Sequence, residues 1–375
     1  MKNQLTFIVL LLANVLSFSQ DWGGFQISPY SGVLGVNLQP ASLASSPYTV
    51  DVNVVGLSVK GFVKEFLPES KLANSVYAGD QLSLTAMLQS SQQNFFVNAS
   101  VLMPSASVRL NEKSGLAFTW RYRVVAYGAV SNSSLSILAQ DGFDTKSLVE
   151  IPLVQSAVVI ANTLEEGGLS YGRNIYNKGR HKIDVGISDK YLVGGASGYI
   201  EIEGLQIDYD KQTNTLNNVG GAITFNYNSQ LDELSEGETK KIFNSSGYGM
   251  SFGVNYEYKS AKYLNTVVDR KNKPNYLFKV STSFRDIGKI FFKASERSAS
   301  YKIKQSTAVN ADAFNDIKSI SDFQSRLTNN FSLETNKLKD YNLRLPTTWN
   351  VNVDCNLGRN FYFNNYIDVV GVQMQ

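Results

Sequence analysis

The stretch KIDVGISDKYLVGGASGYIEI, residues 182–202, decides how the rest of the chain is read. Lys182, Asp184, Gly186, Ser188 and Lys190 alternate with Ile183, Val185, Ile187, Asp189 and Tyr191. Successive side chains of a strand point to opposite faces. The stretch is therefore a strand with one mostly apolar face and one charged, small-residue face. In a soluble sheet the apolar face packs on a core. In a membrane barrel it meets lipid, and the charged face lines the interior.

The same alternation recurs along the chain. It is clear in TVDVNVVGLSV (49–59), NFFVNASVLM (94–103), LAFTWRYRVVA (116–126) and GGAITFNYN (220–228). It returns in GYGMSFGVNYEY (247–258), YLFKVSTSFR (276–285), WNVNVDCNL (349–357) and FYFNNYIDVV (361–370). The apolar phase flips after Pro104, which predicts a bulge at Met103–Pro104. Runs of about 10 to 13 residues cross a membrane at the tilt barrels need. Soluble strands are nearer about 5 or 6 residues. The connections are unequal. Those near 63–93, 131–166, 229–246 and 287–345 are long, polar and partly helical in pattern, and those at 111–115, 177–179 and 357–360 are short turns. Outer-membrane barrels sort their connections this way, with long extracellular loops and short periplasmic turns. The fold class read here is all-β, an antiparallel transmembrane β-barrel.

Composition agrees. The formal net charge of +3 gives no electrostatic case for nucleic acid. One Cys and one His leave no disulfide framework and no His-rich metal site. A mean hydropathy of -0.16 is too polar for a bundle of membrane helices. The N-terminus, MKNQLTFIVLLLANVLSFSQ, reads as a secretory signal over residues 1–19, with Lys2 in the basic region, an apolar run from Leu5 to Leu16, and Ser17-Phe18-Ser19 before the cut. Residues 20–47 are rich in Gly, Ser and Pro and read as an irregular segment, plug-like or periplasmic. Residues 48–375 form the barrel.

The alternating runs give about 11 membrane strands. By parity the last one, near 360–370, ends on the extracellular side, and the terminal Val370-Gly371-Val372-Gln373-Met374-Gln375 lacks a final aromatic residue. The expectation is a chain missing roughly one to three strands of a barrel of about 12 to 14.

Four motifs carry a resemblance. They are NLQPASLA (37–44), GLSYGR followed by GISDKYLVGGASGY (186–199), RDIGKIFFK (285–293) and LPTTWNVNVD (345–354). Together they resemble Bacteroidota-type outer-membrane β-barrels of unknown function, similar to long-chain fatty-acid transporters and to PorV-like and PorP/SprF-like barrels. Gln39 stands where those families carry Asn before Pro40. The resemblance implies a barrel of about 14 strands with an N-terminal segment inside or beneath it. It implies no shared catalytic residues.

Candidate chemistry is thin. His181 has Ile183, not Ser, two residues on, so a membrane phospholipase pattern is absent. Cys355 alternates with Trp349, Val351 and Val353 and reads as a lipid-facing small hydrophobe. Arg121, Arg123, Lys182, Asp184, Lys190, Glu201 and Glu203 are the lumen-lining candidates, either a selectivity network or a generic salt-bridged interior. No catalytic residue, metal site or cofactor is expected. The function expected is a non-enzymatic outer-membrane barrel that passes small hydrophobic or amphipathic molecules. The alternative is an interaction scaffold for secretion or surface assembly. The expected partners are outer-membrane lipid, a hydrophobic small-molecule ligand and secretion-system proteins, in the outer membrane of a Gram-negative cell.

Overall fold

The structure is a computed structural model that describes residues 23–64, 93–130, 151–210, 212–231, 245–260, 276–304, 308–315, 317, 319–358 and 361–371. The signal expected at 1–19 and most of the connections expected at 63–93 and 229–246 lie outside these residues. The described chain folds into an antiparallel sheet of 16 strands. Among the described residues no helix is long and apolar enough to cross a membrane.

The described residues begin with two short helices, α1 (Gly23–Gln26) and α2 (Val33–Val36), and a 3-10 helix over Pro40–Ser45. Strands β1 (Val50–Asn53) and β2 (Gly56–Lys64) follow. Next come β3 (Gln93–Leu102), β4 (Ser105–Asn111) and β5 (Ser114–Val130). Leu102 pairs with Arg121 and Ala106 with Phe118, so one extra residue lies between β3 and β4. That is the bulge the phase flip at Met103–Pro104 anticipates. Pro104 has no ladder donor to lose there. The pairing continues through the bulge by Met103 N–H to the Trp120 carbonyl at 2.7 Å.

Strands β6 (Ile151–Lys178) and β7 (His181–Asp210) are the two longest, at 28 and 30 residues. They meet in a two-residue turn where Gly179 takes φ +55°, the left-handed conformation that glycine adopts without a Cβ penalty. β6 starts inside the connection expected at 131–166. That part, IPLVQSAVVIANTL (151–164), is rich in apolar residues on both parities, and its pairing with β7 passes through register shifts near Gln155 and Asn162. The first part of β7 pairs with β9 (Ser245–Lys259), and its second part with β8 (Thr215–Tyr227). β10 (Tyr276–Phe292) then pairs with β9 and with β15 (Thr347–Gly358), and β15 with β16 (Phe361–Gly371).

Among the described residues the wall is thus the nine-strand path β2–β3–β5–β6–β7–β9–β10–β15–β16. The alternating runs give about eleven. GGAITFNYN reads as a wall strand in the sequence but forms β8, in an extension beyond the wall. The expected connection 287–345 also carries structure: the end of β10, then β11 (Ala299–Ile303), β12 (Val309–Asn310), α3 (Ile320–Asn330), β13 (Leu333–Lys337) and β14 (Tyr341–Arg344). β8, β11 and β13 pair in sequence, and with α3 they enclose a core of Ile223, Phe225, Tyr227, Tyr301, Phe314 and Leu327.

Among the described residues the two wall edges, β2 and β16, do not pair. Their side chains nevertheless meet, because Lys60 of β2 forms an ion pair with Asp368 of β16. The sheet therefore curls back on itself into an open barrel-like shape, bridged by side chains at a seam.

Burial is inverted relative to a soluble core. Arg123, Glu166, Asp184, Lys190, Asn255, Ser283, Asp286 and Asn350 are buried on the inner face. Leu169, Tyr191, Phe252, Val254, Phe284, Phe291 and Ile367 are exposed on the outer face. In β7, Asp189 stays on the exposed outer face, paired in register with Leu169 and Met250.

Candidate functional site

The interior is built in layers. Nearest the short turns it is polar. Lys182 pairs with Asp184 at 3.0 Å and Glu257 at 3.1 Å, and Asn174 donates to Asp184 at 2.7 Å. Tyr276 donates to Asp354 at 2.6 Å. Neither amide atom of the fully buried Asn255 has a hydrogen-bond partner among the described residues.

The next layer is a row of glycines. Gly115 of β5, Gly172 of β6, Gly186 of β7 and Gly253 of β9 are successive register partners. Ser283 of β10 and Asn350 of β15 continue the row. With no side chains there, backbone can lie directly on the wall. The 3-10 helix does so. A Cβ at Gly186 would stand 2.3 Å from Ala41 N, and one at Gly172 would stand 2.8 Å from Leu43 Cβ. The two polar positions fasten the same segment. Ser283 Oγ donates to the Leu38 carbonyl at 2.7 Å, and Asn350 Nδ2 donates to it at 3.3 Å. Gln39 Nε2 donates to the carbonyls of Val254 and Thr282 at 3.2 and 3.0 Å. Val33, Val36 and Leu43 pack with Ala117 of β5. The N-terminal segment is therefore a plug bound inside the wall.

Above the plug sits a charge network. Glu166 of β6 accepts from Arg121 at 2.5 Å and from Arg123 at 2.6 Å. Asp286 of β10 accepts from Arg123 at 3.0 Å and from Lys190 of β7 at 2.6 Å. Four strands are tied by three cations and two carboxylates. Asp286 reaches inward because of a bulge. Phe284 pairs with Phe252 and Ile287 with Met250, so Arg285–Asp286 carries one extra residue, and Asp286 takes φ +56°. A non-glycine residue there is strained, and Asp is among those that tolerate it best. Arg285 turns instead to Asp368 at 2.8 Å, toward the seam.

The top layer is apolar. Phe96, Val125, Leu164, Leu192, Ile290 and Phe292 close over the network, with Leu343 of β14 and Leu345 just after it. Tyr341 stacks on Phe292 at 5.4 Å and donates to the Ser197 carbonyl at 3.0 Å. The lumen is filled at two levels, by the plug and by this cap, with the ion pairs between them.

Of the seven candidate residues, Arg121, Arg123 and Lys190 come together in the network. Lys182 and Asp184 lie in the layer below the plug. Glu201 and Glu203 join neither. They lie on the second part of β7, opposite Thr224 and Ala222 of β8, where Glu201 is half-buried and Glu203 exposed. Partial burial and the neighbouring Glu203 push the Glu201 carboxyl above its ordinary range. Sequence reasoning missed Glu166 and Asp286. The first fell in a stretch read as a connection, and the second stands on the apolar parity until the bulge shifts it. His181 lies on the outer rim, with Nδ1 2.7 Å from the Tyr256 hydroxyl, and Cys355 is half-buried on β15. Among the described residues no three His, Cys, Asp or Glu side chains gather as metal ligands.

A family model described as "Family of unknown function (DUF5723)" matches residues 40–375, and the chain belongs to that family. No curated protein and no solved structure matches it.

Proposed function

We propose that this member of the family is a non-enzymatic β-barrel of the outer membrane, closed at rest by its own N-terminal plug. On this reading it passes small amphipathic molecules when the plug is displaced. The inverted burial carries the proposal. Apolar side chains face out around the wall while charges and amides are buried inside, and only a lipid solvent makes that arrangement favourable. The aromatic residues support it. On the outer face Trp120, Tyr191 and Tyr248 lie in one row of the sheet, and Tyr176, Tyr256 and Tyr258 gather near the turn at His181. From His181 to Tyr191 is ten residues. At ~3.3 Å per residue and a tilt of ~40°, that separates the two aromatic rows by ~25 Å, the height of a barrel's apolar band. Asp189 then sits just below the upper row, where a charge is least costly. The likeness of the sequence motifs to fatty-acid-transporter-like barrels points the same way.

Planar-bilayer recording of the full chain tests the transport reading. Silence in the resting protein and conductance or probe uptake after release of the plug are expected. Silence in both states contradicts transport.

The extension favours a second reading, an interaction scaffold. Beyond the wall it presents an open polar cleft of about 450 Å³, lined by Arg297, Tyr301, Asp322, Gln324, Ser325 and Thr328. A surface of that kind suits a partner at the long-connection end.

A further inference from the structure

At the short-turn end the outer rim carries cations over an aromatic shelf. The Arg180 guanidinium lies 4.5 Å over the Tyr258 ring. Tyr258 stacks on Phe278 at 5.3 Å. His181 meets Tyr258 edge-on at 5.4 Å and hydrogen-bonds the Tyr256 hydroxyl. Arg180 Nε donates to the Lys259 carbonyl at 3.1 Å, which fixes the guanidinium plane. Its terminal nitrogens make no further hydrogen bond among the described residues. Lys259 donates to Asn177 on the inner side of the sheet, and Lys178 is exposed at the end of β6 beside the turn. Neither Lys178 nor Arg180 forms an ion pair among the described residues, while the neighbouring carboxylates of Asp184 and Glu257 face inward to Lys182.

We infer that Arg180 and Lys178 form a site for the phosphate of an anionic phospholipid headgroup, with Tyr258 and Phe278 as the shelf for its glycerol and upper acyl chains. The inference rests on the membrane reading above. The chemistry is specific in three ways. A guanidinium held by its Nε presents its two remaining nitrogens as a fork that matches a phosphate. The Lys178 ammonium beside it adds charge and forms no ion pair with a carboxylate among the described residues. The shelf is apolar below and hydroxyl-bearing above, the profile of a membrane interface. A free phosphate would use the cations but not the shelf.

The test uses the full chain reconstituted in vesicles of phosphatidylcholine with an equal amount of phosphatidylglycerol. Native mass spectrometry of the released protein reads the lipids retained. Phosphatidylglycerol should be retained in excess, and high salt during exchange should reduce the excess. Each cation removed should lower it about fivefold, the effect of one Lys or Arg near an anionic surface. Arg180→Gln tests the fork, and Lys178→Gln tests the added charge while leaving the Arg180 contacts in place. Equal retention of both lipids by the inserted protein overturns the site alone, as does an excess unchanged in both variants. Displacement of the lipid by inorganic phosphate at matched ionic strength also overturns it, because the shelf then contributes nothing. Failure of the protein to enter vesicles of either composition overturns the membrane reading itself, and the site with it.

Discussion

Asp286 combines a positive φ with a buried carboxylate that holds two cations. Removing one partner of a buried ion pair leaves the other uncompensated, which costs about 3–5 kcal/mol. Asp286→Asn keeps a residue that tolerates the left-handed backbone and removes only the charge. It is expected to lower the unfolding free energy by about that amount, read by urea titration of the reconstituted protein. A loss within about 0.5 kcal/mol would mean that Arg123 and Lys190 find other partners. The two carboxylates of the network were not legible in the sequence, although its three cations were. Arg121, Arg123 and Lys190 sit on the polar parity of clean alternating strands. Asp286 shares parity with Phe284 until one inserted residue reverses it, and a bulge leaves no composition signal when Arg and Asp flank it. Glu201 and Glu203 show the opposite failure. They keep the polar parity of β7, but the strand has already left the wall.

The plug and its glycine row depend on each other. Gly172 and Gly186 have no room for a Cβ because the Pro40–Ser45 helix lies against them. Gly186→Val is expected to displace the helix while leaving the β7 ladder intact, since valine suits a strand. The expected readout is protease cleavage near residues 38–45 in the variant, with protection in the parent chain. A protected segment in Gly186→Val would mean that the wall moves and the plug does not. In the sequence, residues 20–47 were open between a plug and a periplasmic segment. Nothing in a single alternating strand shows that glycines on four strands share one register. That row exists only once pairing is known, because register is set between strands and not within one.

At the scale of the whole molecule the sequence was most informative. On the membrane reading, alternation, strand length and the sorting of connections all follow from one solvent arrangement, polar inside and apolar outside. What it could not separate was wall from extension. β6 and β7 run past the height of an apolar band as continuous strands, with register shifts on the way, and β8 alternates as cleanly as a wall strand, so it reads as one more of them. The two solvents should be distinguishable by substitution. Val254→Lys, on the outer face between the aromatic rows, is expected to cost about 2–4 kcal/mol in a bilayer. Glu203→Lys, exposed beyond the wall, should cost within about 0.5 kcal/mol, by the same urea titration. Equal costs would remove the case for a lipid-facing wall.

The most direct measurement is a cysteine scan along β10, residues 280–291, in a Cys355→Ser chain reconstituted in vesicles. Each position is tested for quenching by a lipid-borne probe. Quenching is expected at Val280, Thr282 and Phe284, then at Ile287 and Phe291, with Ser281, Ser283 and Asp286 silent and the phase reversing at the bulge. Water-soluble labelling of the outer positions, with no quenching by lipid anywhere along the strand, would contradict a membrane wall.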